Sequence, residues 1–486
     1  MANLNNFGRL EILMPDTEYT DANIVETLNK MLPIHNQNSA DIDTLWDYYT
    51  GKQEILNRQK EVREEICNKI VENHAAEIVN FKTGFTFGEP VQYVYRGESQ
   101  QGENAGDDEG ISLLNEIMDL ADKPTKDREL AEWFYICGVS HRMALLDGDE
   151  LNIYVCDPRY TFVAKSNDYR REPVLAVTYV TENGTSGLNS STKYSVYSKN
   201  HYWLIEGSDI KESKPIYSGI PIVEYRLSPS RQGCFEVVLP ILDALNNMAS
   251  NRMDGIEQTI QNFIWFNNCE VDEKQFAELK AKGGITTRSA NGAPASIQVL
   301  STNLDQQQSQ TFVDYEYQTM LTIAAVPDRK ASAGGNTGQA LVIGQGWTNA
   351  ESAAKSMELE FKAAEKRFLK LALKYLQNTR THSNELKNVK LSDVDIKFTR
   401  NKTDNLLTKT QGLMNLLEAG VHPRIAVANC GLFSDPEQVY VDSTEYLEKW
   451  RIQQQAEQPE GEMLTGELER IMQAFDSRKN GGVEVV

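Results

Sequence analysis

Between Gly233 and Gly346 the chain runs through a long helical pattern, a short αβ insert, a second helical pattern and a glycine-rich loop. In the first pattern Ile241, Leu245, Met248, Met253, Ile256, Ile260 and Phe263 recur at helical spacing, so one stripe is apolar. The other face carries Asn246, Asn247, Ser250, Asn251, Arg252, Asp254 and Glu257, which is polar but sparsely charged. At about 1.5 Å per residue such a rod is roughly 40 Å long. An ordinary core helix of a large protein would show this stripe. So would a rod in a ring or bundle, with one side packed on neighbours and the other wet.

The insert, Cys269 to Asn303, reads as a small αβ module. Asp272 followed by Gln275 resembles a capping box for a helix from Glu273 to Lys282, which Gly283-Gly284 ends. Ile285–Thr287 and Ile297–Leu300 read as strands around Asn291-Gly292. Too small to be stable alone, the module must lean on the helices that carry it or on copies of itself. Helical spacing resumes from Gln306 to Val326, with Phe312, Tyr315 and Ile323 in register, and Pro327 is expected to end it. Lys330 to Gly346 then holds Gly334, Gly335, Gly338, Gly344 and Gly346. Asn349 to Gln377 is the most regular helix, with Met357, Phe361, Phe368, Leu371 and Tyr375 in steps of four and three.

Upstream, helices are expected at Asp21–Leu32, Asp41–Tyr49 and Ile66–Phe81, then a strand at Val91–Tyr95. Gly97–Gly110 is acidic and glycine-rich, which predicts a mobile loop. Leu113–Leu120 and Asp127–Gly138 return to helical spacing. A β-rich section follows: Met143–Leu146 and Leu151–Val155 around a hairpin turn, then Phe162–Ala164, Val174–Val180, Tyr194–Tyr197 and Tyr202–Ile205. Downstream come a strand at Val394–Phe398, a helix at Leu406–Glu418, and a helix opened by Asp435-Pro436. The acidic, glutamine-rich tail from Ala456 is expected to be loosely ordered.

The 486 residues suffice for several domains, and 40 % apolar with 24 % charged residues is ordinary globular composition. A net charge of −21 repels nucleic acid on average, so any DNA contact must be local or sliding. The six cysteines are scattered without a CxxC pair and are expected to be reduced thiols of a cytoplasmic product. No secretion signal is read in the opening residues, and no apolar run approaches the ~20 residues of a membrane span.

No catalytic, cofactor or metal motif emerges. The Gly334–Gly346 loop lacks the lysine of a phosphate loop and the third glycine of a dinucleotide loop. HExxH and zinc-type spacings are absent. Ser352-Ala353-Ala354-Lys355 fits SxxK and Lys82-Thr83-Gly84 fits KTG, but their order is reversed relative to penicillin-binding enzymes and there is no SDN. The six histidines are far apart in sequence and read as surface or packing residues. The residues therefore do not read as an enzyme, although acids dispersed in sequence could still meet in space.

Three stretches together resemble the portal proteins of long-tailed double-stranded DNA bacteriophages. The first is Tyr48-Tyr49-Thr50-Gly51, then Asn68-Lys69-Ile70-Val71-Glu72-Asn73, then Gly88-Glu89-Pro90-Val91. The second is Pro221-Ile222-Val223-Glu224-Tyr225 leading to Phe235-Glu236-Val237-Val238 and Leu242-Asp243-Ala244-Leu245-Asn246. The third is Pro327-Asp328 with Asn336-Thr337-Gly338-Gln339-Ala340-Leu341 and the long helix beyond. Family members often show Ser-Gly where this chain has Thr337-Gly338.

The resemblance, over roughly residues 40 to 450, implies an α+β portal-type fold that assembles as a dodecameric ring. Residues 1–232 would form the wing, 233–268 and 306–327 the two stem helices, and 269–305 the clip. Residues 328–348 would form the tunnel loop, 349–380 the long wing helix, 381–455 a mainly helical crown and 456–486 a flexible tail. Tunnel-loop candidates are Lys330, Gly334, Gly335, Asn336, Thr337, Gly338 and Gln339. Motor-docking candidates on the clip are Glu273, Lys274, Glu278 and Lys282. Implied partners are the terminase large subunit, major capsid and scaffolding proteins, a head-completion adaptor, and DNA passing transiently through the channel of a virion vertex. No cofactor and no membrane are implied. The alternatives are another ring-forming head–tail connector and an enzyme with a site assembled from dispersed acids.

Overall fold

A computed structural model describes residues 4–61, 63–95, 105–183, 190–217, 219–260, 263–267, 274, 296–300, 306–328, 346–400, 406–430, 432, 439–440, 443 and 446. The chain divides into two units, Met1–Asn401 and Lys402–Val486.

The first unit opens with strand β1 (Ile12–Met14) and helix α1 (Ile24–Thr50), 27 residues long. Two separate helices were expected here, because Pro33 and the polar run after it interrupt the apolar pattern. The helix continues because His35, Asn38 and Asp41 of that run are buried and satisfied. Asn38 both accepts from the Leu10 N–H (2.8 Å) and donates to the Leu10 carbonyl (2.9 Å). His35 and Ser39 both reach the Arg159 carbonyl, and Asp41 accepts from the backbone of Asn5 and Asn6. Gly51 ends α1 at φ 92°, a left-handed conformation that favours glycine.

Helix α2 spans His74–Phe87, strand β2 Gln92–Tyr95, α3 Ala105–Leu120 and α4 Lys123–Cys137. Two expectations change here. Residues 67–73 are not helical, and the supposed loop Gly97–Gly110 is helical from Ala105. At the end of α4, Gly138 has φ 84°, and a Cβ there would lie 2.2 Å from the Arg231 carbonyl oxygen, so only glycine lets the two strands of backbone pass.

The β-rich section comprises β3 (Val139–Asp147), β4 (Glu150–Cys156), β5 (Thr161–Ser166), β6 (Pro173–Asn183), β7 (Ser190–Ser198), β8 (His201–Glu206), β9 (Asp209–Pro215) and β10 (Ile222–Arg226). They form a six-stranded sheet, β1-β5-β6-β7-β8-β9, and a three-stranded sheet, β10-β3-β4. Strand β1 joins β5 in parallel, Ile12 opposite Ala164; the other pairings are antiparallel. The β3–β4 hairpin turns at Gly148-Asp149, as expected, with Asp147 opposite Glu150. Neither β1 nor β9 was anticipated. Charge-rich β9 is an edge strand, where lysines and a terminal proline discourage further pairing.

Then come α5 (Leu239–Ile260), β11 (Phe263–Asn267), β12 (Ser296–Leu300), α6 (Gln306–Ile323), α7 (Trp347–Leu376) and β13 (Val394–Lys397). Strand β13 pairs with β2, so the chain after α7 returns to the early part of the same unit. In the second unit α8 (Leu406–Glu418) packs on α9 (Pro423–Cys430). The latter was read only as a turn; Pro423 sits in its first turn, where a missing N–H costs nothing.

Two hydrophobic cores lie along α1. Its first half, through Ile24, Leu28 and Met31, packs on the large sheet at Phe162, Val177 and Trp203. Its second half, through Ile42, Leu45 and Tyr48, joins α2, α4, the start of α5 and α7, centred on Phe134, Phe361 and Phe368. Among the described residues no helix is long and apolar enough to cross a membrane. Cys67, Cys137, Cys156, Cys234 and Cys430 carry free thiols.

Candidate functional site

The helix pair α5 and α6 is the candidate site. The first helix leads into β11, and β12 leads back into the second. The two strands pair antiparallel, from Phe263 opposite Leu300 to Asn267 opposite Ser296. Helical pattern was expected to run through 268, but Phe-Ile-Trp-Phe at 263–266 forms a strand, as aromatic and β-branched runs favour. Strand β12 was expected, with Ile285–Thr287 as its partner; it pairs with β11. Ile285–Thr287 itself lies outside the described residues. The helices touch, and Arg252 donates to Gln310 at 2.7 Å.

The polar face of α5 was one candidate for a wet surface. Part of it is covered instead, while Asn247 and Asn251 stay exposed. Asn246, Ser250 and Asp254, one helical turn apart, accept the backbone N–H groups of Glu72 (2.7 Å), Ile70 (3.0 Å) and Asn68 (2.8 Å). Four helical residues advance about 6 Å and two residues of extended chain about 6.6 Å, so the two periods match. Residues 67–73 are thus held as a strap whose orphan donors α5 satisfies, which is why their helical spacing does not produce a helix. Burial works against the ionised Asp254, but hydrogen bonds from Lys60 (2.5 Å) and Asn68 outweigh it, keeping its pKa below the usual carboxylate range. Arg58 adds an ion pair at 3.1 Å.

The strap ends in a polar knot that joins the motifs read in the sequence. Tyr48 donates to Asp243 at 2.7 Å. Asn246 donates to Gln53 (2.5 Å), and Gln53 donates to Asn73 (3.1 Å). Asn73 in turn caps α2 at the Ala76 N–H and donates to the Tyr49 carbonyl. On α2, His74 lies 2.8 Å from Glu77 and 3.3 Å from Glu72. Burial opposes its charge, but bonds to those two carboxylates raise its pKa to about 9. Tyr317 of α6 donates to Glu77 at 3.0 Å, which binds the second helix to the same knot.

Beside exposed polar residues such as Asn247, Asn251, Gln310 and Asp314, the pair also presents apolar side chains. Met253 and Ile256 on α5 are 39 % and 46 % exposed; Phe312, Tyr315 and Ile323 on α6 are 52 %, 63 % and 51 % exposed.

Helix α6 ends at Ile323, before Pro327. The Val326 N–H reaches back to the Leu321 carbonyl at 2.9 Å, and Ala325 takes the left-handed position at φ 52°. A Cβ on Gly346 would lie 3.9 Å from the Pro327 Cα, so these two residues, which flank 329–345, sit together. Lys330, Gly334, Gly335, Asn336, Thr337, Gly338 and Gln339 lie outside the described residues, as do Glu273, Glu278 and Lys282. Lys274 is described, helical and exposed.

Dispersed acids do meet in space, but with cations. Glu365 of α7, wholly buried, takes Tyr225 (2.6 Å), Tyr93 (2.5 Å), Lys123 (3.1 Å) and Arg142 (2.9 Å). Burial alone would push its carboxyl up; Lys123 and Arg142 bring it to about 2. Asp127 balances the second positive charge, pairing with Lys123 at 2.5 Å and with Arg142. Two cations thus meet two anions across α4, β3 and α7. No sequence signal marked this cluster, because its members are far apart in the chain. Among the described residues no group of three or more His, Cys, Asp or Glu could hold a metal ion.

A family model described as "Phage portal protein, SPP1 Gp6-like" matches residues 28–460. No curated protein matches the chain.

Proposed function

The chain belongs to the SPP1 Gp6-like phage portal proteins, and from that membership we propose that copies of it close into a ring around a channel for packaging and ejecting double-stranded DNA. On this reading α5 and α6 are the stem helices and β11 with β12 roots a clip over 269–305. Residues 328–348 are the tunnel loop and α7 is the long wing helix. Residues 1–232 make the wing, 381–455 the crown and 456–486 the tail.

One observation carries the reading. Met253, Ile256, Phe312 and Tyr315 stand exposed on a helix pair whose buried polar residues Asn246, Ser250 and Asp254 are already bonded within the copy. A single copy gains nothing from that exposure, whereas neighbours in a ring bury it. Terminase docks at the clip, where Glu273, Lys274, Glu278 and Lys282 offer charges, and scaffolding, capsid and adaptor proteins take other surfaces of the vertex. A net charge of −21 suits a conduit, because every phosphate gripped by a cation has to be released again.

The test is packaging. Rings carrying Gly334→Pro with Gly338→Pro should assemble normally and package DNA more slowly than wild type, since proline removes the freedom glycine gives the loop. Equal packaging rates would remove the tunnel role from this loop.

A further inference from the structure

A cleft of about 280 Å³ opens where α2, the end of α6 and the start of α7 meet. Its walls are mainly apolar, from Phe81, Phe85, Ile323 and Met357, and it is roomy because α7 presents only alanine at 350, 353 and 354. One charged group faces it, Lys82. Among the described residues no carboxylate pairs with this ammonium. Burial lowers its pKa and Cys234 is the neighbour that acts the other way. Cys234 cannot neutralise it, because burial pushes the thiol up to about 12 and it stays protonated. Thr86 donates to the Lys82 carbonyl (2.7 Å) and bonds Tyr135 (3.1 Å), and Ser228 bonds Ser230 (2.8 Å). Lys82 is partly buried, and an ammonium beside apolar walls with no carboxylate partner among the described residues leaves the one charge of the cleft unbalanced in a single copy.

We propose that Lys82 receives the carboxylate of an Asp or Glu from a second copy of the chain, inserted into this cleft when copies assemble. The proposal rests on the ring reading above. Three observations select this occupant. Segment 329–345, flanked by Pro327 and Gly346, contains no Asp or Glu and so offers Lys82 no carboxylate. Ile323, half-exposed, belongs both to the cleft wall and to the apolar line on α6, so the cleft continues the face proposed to meet a neighbour. The charges also complement each other: 70 acidic residues against 49 basic ones leave the surface rich in carboxylates, while the cleft offers a lone cation. A DNA phosphate fits less well, since phosphate binding recruits several cations and polar donors, whereas apolar walls suit the methylene stem of an acidic side chain.

The experiment treats assembled full-length protein, prepared from a mixture of isotopically light and heavy chains, with a carbodiimide, which condenses an amine with a carboxylate in contact. Peptide mass spectrometry should find Lys82 joined to an acidic peptide of the other isotope. Lys82→Arg, which keeps the charge but cannot be coupled, should form rings without that link. Lys82→Met, suited to the apolar walls, should give well-folded chains whose rings dissociate at lower salt than wild type. Acetylation of Lys82 should be about ten-fold slower in rings than in isolated chains, the factor that ~1.4 kcal/mol of protection confers. Rings of full mass with no Lys82 link, a link confined to one isotope, or protection only when DNA is added would each overturn the proposal and leave the ring reading standing. A wild-type preparation that never exceeds monomer mass would overturn both.

Discussion

Ser250 is a short side chain on which a backbone donor 180 positions upstream depends. Replacing it with alanine leaves the Ile70 N–H without an acceptor beneath the strap. Unfolding by denaturant should show a loss of about 1–3 kcal/mol, the cost of an unmet buried donor; an unchanged stability would mean the strap is not held this way. His74 makes a pH-dependent contribution beside it. Its folded pKa, about 9, lies above the ordinary histidine value of 6.5, so its bonds to Glu72 and Glu77 stabilise fully below pH 6.5 and are lost as pH rises through 9. The stability gap between wild type and His74→Gln, followed by denaturation from pH 6 to pH 10, should shrink toward zero. A gap independent of pH would contradict the assignment. Neither residue was legible in the sequence. Asn246, Ser250 and Asp254 look the same whether they face water or satisfy a distant backbone, and only the fold brings residues 67–73 over them.

At the scale of elements, what was legible followed periodicity. The helices α6, α7 and α8, and strands such as β6, β7 and β8, lie within a few residues of their expected places, because their apolar residues recur at the period of the element. The errors fall where a partner overrides local pattern. Pro33 does not break α1, since Asn38, Ser39 and Asp41 find acceptors and donors on other segments. The strand β11 continues what read as helix, since β12 supplies its ladder. Helix α7 is fixed by a device no periodicity announces, Glu365 among Lys123, Arg142, Tyr93 and Tyr225. Glu365→Gln removes one charge from a balanced buried cluster and leaves a cation uncompensated, so it should cost about 3–5 kcal/mol in unfolding free energy. Glu365→Leu paired with Arg142→Met and without the remaining ion pair disturbed should recover part of that loss. A Glu365→Gln protein as stable as wild type would show that the cluster does not anchor the helix.

At the scale of the whole molecule, family membership rests on the match over residues 28–460, and the resemblance was readable because its motifs converge. Tyr48, Asn73, Asp243 and Asn246 come from stretches that carried it and meet in one knot. The proposed assembly face was half legible: the stripe containing Met253 and Ile256 was visible in the sequence, but that Asn246, Ser250 and Asp254 are used within the copy was not. The most direct measurement is therefore mass in solution, by light scattering, of wild type beside a Met253→Asp, Ile256→Asp variant. The account predicts a closed oligomer for wild type, many times the 54.9 kDa of one chain, and a folded monomer for the variant, whose charges cannot be buried between copies. A wild-type protein that stays monomeric at micromolar concentration across salt conditions, or a variant that forms the same ring, would contradict it.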